Sequence, residues 1–95
     1  WQSVKTSNYT ATAGQGVFMN TTSGALTLTL PASPSIGDEV TFVDYAGTFD
    51  SNNLTIARNS SKIHGAEEDL TVAVERAANT LVFTDSTQGW LLKSK

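Results

Sequence analysis

Ninety-five residues, no cysteine and a formal charge of −3 already exclude a good deal. The length suits one core, disulfides and cysteine-based zinc sites are ruled out, and six scattered Lys and Arg make no basic stripe for nucleic acid or an anionic membrane. No apolar run approaches the ~18–20 residues of a membrane span, so a small β-domain that gains buried area by assembling is the expectation.

Alternation of apolar and polar residues predicts short strands near Ser3–Lys5, Thr10–Thr12, Val17–Asn20 and Ala25–Leu30. Leu26-Thr27-Leu28-Thr29-Leu30 is the clearest of them, with three leucines on one face of an extended segment and threonines on the other. Pro31 and Pro34 stop it, because proline has no N–H for a central ladder. Gly37-Asp38 then turns the chain into Val40–Tyr45. Further strands follow near Leu54–Ala57, Leu70–Val74, Leu81–Thr84 and Trp90–Lys93. Turn-forming runs separate them, among them Ala13–Gly16, Thr21–Gly24, Ser51–Asn53, Arg58–Ser61 and Ser86–Gly89. Glu67–Leu70 and Val74–Ala78 are the only helix candidates, each too short to stand alone. Regular spacing of short strands with turns predicts a single all-β domain over residues 1–95, an antiparallel sandwich or a small barrel.

The predicted core is the set of inward stripes Leu26/Leu28/Leu30, Val40/Phe42, Leu54/Ile56, Leu70/Val72/Val74, Leu81/Phe83 and Trp90/Leu92. Leu28, Phe42, Ile56 and Val72 sit centrally in it. The opposite faces carry Thr27, Thr29, Thr41, Thr55, Thr71, Thr80 and Thr84. Such a face is either solvated or packed on a neighbour, and the low charge is weak protection for exposed edges.

No motif announces catalysis, so the chain reads as a non-enzyme without cofactor or metal. His64 is the only histidine and has no second imidazole or cysteine to share a metal, nor a nucleophile framed for it. Glu67-Glu68-Asp69 reads as a solvated acidic turn, because adjacent carboxylates do not span a sugar as a hydrolytic pair must. Asp50-Ser51-Asn52-Asn53 has the oxygen ligands that open a calcium loop but lacks the glycine and glutamate that complete one. Gly14-Gln15-Gly16 lacks the Gly-Lys-Ser/Thr of a phosphate loop. Tyr45, Phe49 and Trp90 either plug the core or a subunit seam or form a stacking platform for a sugar. On the second reading, Tyr45, Phe49, Asp50, Asn52 and Asn53 are the candidate binding residues.

Taken together, WQSV, YTATAGQGVFMNT, LTLTLPASPSIGD, DYAGTFDSNNLTIARN, IHG and LVFTDSTQGWLL resemble, in order and spacing, a small β-module repeated in fibre and other virion-surface proteins of tailed bacteriophages. The resemblance covers nearly the whole chain. It implies a structural module of the particle, located on tail or capsid surface, often borne on trimeric fibres and joined to other virion proteins; attachment to a host-surface glycan is a further expectation, carried by the aromatic and polar residues of the Tyr45–Asn53 loop. Tail fibre, tail tip and head decoration are all open on this resemblance; a fibre or surface appendage is the leading expectation, with a capsid decoration protein and the carbohydrate-binding accessory domain of a depolymerase or cell-wall hydrolase as the alternatives. Trp1 in place of an initiating methionine adds the expectation that the chain is a piece of a longer polypeptide.

Overall fold

The computed structural model describes residues 1–94, which form two four-stranded sheets and, among the described residues, no helix. The strands are β1 (Tyr9–Thr10), β2 (Gly16–Met19), β3 (Leu26–Thr29), β4 (Glu39–Asp44), β5 (Leu54–Ala57), β6 (Leu70–Val72), β7 (Ala78–Phe83) and β8 (Trp90–Ser94). Sheet I has the order β1-β3-β5-β6, and sheet II the order β2-β4-β7-β8.

The all-β expectation holds, but the purely antiparallel one does not. The pairs β1–β3, β2–β4 and β3–β5 are parallel, whereas β4–β7, β5–β6 and β7–β8 are antiparallel. The reason lies in the route of the chain. From β1 to β5 each successive strand enters the opposite sheet, so hydrogen-bonded neighbours are every second strand and run in the same direction. Parallel partners need a long crossover, and here the crossover contains a strand of the facing sheet. Only after β5 does the chain make the reversals that a reading of turns leads one to expect.

Alternation places the core between the sheets. Val17, Met19, Leu28, Leu30, Val40, Phe42, Leu54, Ile56, Leu81 and Trp90 are fully buried, and Val72 and Ile63 nearly so. Leu28 and Ile56 stand opposite each other in the β3–β5 ladder, and Leu54 stands opposite Val72 between β5 and β6. Val74 departs from its predicted stripe. Strand β6 ends at Val72, and Val74 is 67% exposed because the chain has already begun the turn that leads to β7. The predicted Ser3–Lys5 strand is reduced to a parallel bridge between Lys5 and Met19. Glu67–Leu70 and Val74–Ala78 hold no helix; each feeds a strand instead.

The outward faces differ. In sheet I, Thr27, Thr55 and Thr71 are direct neighbours across three strands, and Thr10, Thr29 and Ala57 form a second row. In sheet II the outward face holds Phe18 beside Val43 in one row and Val82 beside Leu91 in another, all half-buried, with Trp1 stacked on Phe18 at 5.0 Å. Thr41 and Thr80 lie among them and satisfy each other through a 2.8 Å hydroxyl hydrogen bond. Glu39 and Lys93 close this face with an ion pair of 3.0 Å.

Both edges of sheet II are covered. Beside β2, Gln2 and Lys5 donate backbone hydrogen bonds to Gly16 and Phe18, and Asn20 donates to Lys5. Beside β8, the Lys62 carbonyl accepts from Trp90 N–H, and His64 N–H donates to the Trp90 carbonyl. The close approach of Lys62 requires Gly89, at φ +76°, since a Cβ there would run into the Lys62 carbonyl. The edges of sheet I, by contrast, are merely short: two residues in β1 and three in β6.

Candidate functional site

At one end of the sandwich a buried carboxylate organises two loops. Asp44 is the last residue of β4, and alternation turns its side chain inward, where it is 1% exposed. A carboxylate in that position is costly unless it is fully hydrogen-bonded. Four backbone amides meet the need. Gly47 and Thr48 donate to Oδ1 at 3.0 and 3.1 Å, while Phe49 and Arg76 donate to Oδ2 at 3.1 and 2.9 Å. Burial is the largest single influence on the Asp44 carboxyl and pushes its pKa up, but the amides of Arg76, Phe49, Thr48 and Gly47 together outweigh it. The carboxyl ends below the ordinary aspartate range and stays ionised.

This anchor fixes the loop that follows. Phe49 is fully buried and packs against Phe42 with ring centroids 6.4 Å apart. The sequence-predicted site therefore divides. Phe49 holds the loop to the core and offers no surface. Asn52 spends its amide on the Thr21 carbonyl at 2.8 Å, tying the loop to the Thr21–Gly24 turn. The Thr48 hydroxyl meets that of buried Thr21 at 2.6 Å. Tyr45 is 51% exposed, Asp50 is exposed and Asn53 is half-buried, so these three remain at the surface.

Arg76 joins this group and is not among the sequence candidates. It lies in the turn between β6 and β7 with φ +62°, a left-handed conformation uncommon for a side-chain-bearing residue. Its N–H is one of the Asp44 donors, and its Nη1 donates to the Tyr45 carbonyl at 2.9 Å. The guanidinium lies over Gly47 (φ +72°), so close that a Cβ on Gly47 would stand 2.8 Å from Nε. Val72, Val74, Glu75, Arg76, Ala77, Ala78 and Asn79 line a hollow of about 510 Å³ beside this turn. The available signal is Glu75-Arg76 interrupting the apolar alternation that ends at Val74.

The remaining candidates lie elsewhere. His64 (φ +51°) sits at the covered edge of β8, where its Nε2 accepts a 3.3 Å hydrogen bond from Leu92 N–H. His64, Glu68 and Asp69 border a separate hollow of about 220 Å³, and Asp69 accepts from the Arg58 amide at 2.9 Å. Gly14 donates its N–H to the Glu39 carbonyl at 2.7 Å, and the Gln15 side chain accepts from Tyr9 and the Thr12 amide. Among the described residues, no three His, Cys, Asp or Glu side chains converge on a metal-sized site. In sequence comparison the chain matches no family model and no curated protein.

Proposed function

We propose that this domain is a structural module of a tailed-phage particle, borne on a tail fibre or another surface appendage, that associates as a homotrimer and presents its Asp44-anchored end toward host-surface glycan. The observation that carries this reading is the chemistry of the two outward faces. Along the strands their only charges are Glu39 and Lys93, which neutralise each other, and the rest is Thr, Val, Leu, Phe, Ala and Gly. Faces without unpaired charge suit contact with another protein surface, because the cores of such interfaces are depleted in charged residues. Sheet II, with Phe18, Val43, Val82 and Leu91, is the better subunit contact because it has more apolar area to withdraw from water. The whole-chain resemblance to virion-surface modules agrees with this use, and three-fold assembly would repeat any weak glycan contact at each subunit.

Two measurements test the reading. Sedimentation of the domain at tens of micromolar should give a trimer, and electron microscopy with a domain-specific antibody should label the particle's tail or surface. A monomer that labels no particle overturns it.

A further inference from the structure

We propose that the hollow beside the β6–β7 turn, lined by Glu75 and Arg76, is a subsite for a neutral saccharide, with the exposed Tyr45 side chain, on the loop whose carbonyl Arg76 Nη1 holds, as the stacking surface next to it. The inference rests on the reading of the domain as a surface-attachment module and names both the position and the ligand class of the attachment.

Rigidity comes first. Tyr45 and Arg76 belong to different loops, yet both loops close on the Asp44 carboxylate. Tyr45 N–H also donates to the Met19 carbonyl at 3.1 Å, which continues the β4 pairing by one residue. A second link, from Arg76 Nη1 to the Tyr45 carbonyl, locks the loops together. The backbone under both side chains is thus fixed in advance, which lowers the entropy lost on binding.

Chemistry selects the ligand. Tyr45 is half exposed on a loop that is otherwise tied down, and among the described residues its ring stacks on no other aromatic. No carboxylate of the described residues forms an ion pair with Arg76, so its guanidinium retains donor capacity. Glu75 lines the same hollow and supplies an acceptor, while Val72, Val74, Ala77 and Ala78 supply apolar surface. A pyranose matches this combination, with an apolar C–H face for the ring and the hollow and hydroxyls that both donate and accept. An anion would meet Glu75, with the ionised Asp44 directly behind the Arg76 turn, in a chain of net charge −3. A cation would meet Arg76. A neutral polyhydroxyl compound meets neither conflict.

The test is an amide-resolved NMR titration of the domain with neutral trisaccharides of glucose, mannose and N-acetylglucosamine, and with trigalacturonate as the anionic counterpart. At least one neutral trisaccharide should shift the amides of Tyr45, Gly47, Arg76 and Ala77. Tyr45→Ala, which only trims an exposed side chain, should weaken that binding by about tenfold. Arg76→Lys, which keeps the charge but loses the planar fork, should also weaken it, with amide shifts confined to the two loops that the guanidinium joins and the rest of the spectrum unchanged. Preference for trigalacturonate, shifts confined to another part of the surface, or no shifts with any of the four compounds would each overturn the subsite. Antibody labelling of the particle is a separate readout, so a labelled particle whose domain binds no sugar sinks the subsite and leaves the structural role standing.

Discussion

The outer faces of the two sheets are built from the same kind of alternating strand, yet they present different chemistry. Sheet I shows rows of threonine, with Thr27, Thr55 and Thr71 side by side. Sheet II shows aromatic and branched aliphatic groups, and its two central threonines use their hydroxyls on each other. Threonine's hydroxyl leaves the first face able to hold water, while its branched methyl keeps the strand extended. Nothing on the second face except the Glu39–Lys93 pair needs water to the same degree. One sandwich thus carries a wettable side and a side better suited to contact with protein. The proposed trimer should therefore use one side of the sandwich and leave the other in water.

That contrast depends on a shared core, and the largest expected effect comes from removing it. Phe42→Ala should cost about 3–5 kcal/mol, because the ring is fully buried between the sheets and also supports Phe49. Thermal or denaturant unfolding would show it. A melting temperature within a degree or two of the parent would mean that the two faces do not share one core.

A smaller effect separates the organised end from the faces. Asp44→Asn keeps the shape but loses the charge received by four amides, and should cost roughly 1–3 kcal/mol at neutral pH. The direction of the pH effect follows from the lowered carboxyl. Its contribution is fully present above the unfolded-state aspartate pKa and fades as pH falls through the lower folded-state value. The parent should therefore lose stability on acidification below about pH 4, while the Asp44→Asn variant shows a shallower acid limb. Parallel acid limbs in urea titrations would place the acid sensitivity elsewhere.

The sharpest test of the contrast changes folding stability least. Val82→Lys, at a half-buried outward position of sheet II, should abolish the proposed self-association while leaving the monomer folded. Thr55→Lys, in the middle of the threonine rows of sheet I, should leave association intact. Sedimentation of the two variants decides. If Thr55→Lys dissociates the protein and Val82→Lys does not, the contact face has been assigned to the wrong sheet.

The faces are easier to read from the sequence than the partners. Leu26-Thr27-Leu28-Thr29 shows which residues go in and which go out, because the strand repeat is two residues. Leu28, Phe42, Ile56 and Val72 are accordingly in the core. Alternation is silent on which strand lies alongside, and turn residues such as Gly37-Asp38 suggest hairpins where the chain crosses to the other sheet. The candidate site is partly legible. Tyr45 and Asp50 are at the surface, as aromatic and polar loop residues can be, but Phe49 turns inward because Asp44 draws the loop over the core. Arg76 escapes a reading of the sequence because its place beside Tyr45 depends on a contact between residues far apart in the chain. That contact is made through a carboxylate that looks like an ordinary strand end.

The covered margins of sheet II carry a further consequence for behaviour in a crowd. An unpaired strand margin is a template on which a neighbouring chain can add, and the hazard grows with local concentration. Gln2–Lys5 occupies one margin, and Lys62–His64 occupies the start of the other, where the His64 imidazole takes the next amide, that of Leu92. The longer strands therefore have guarded flanks, while sheet I offers flanks too short to nucleate much. Many copies held side by side should remain separate folded units, and cutting back the first five residues should be enough to start thioflavin-positive aggregation.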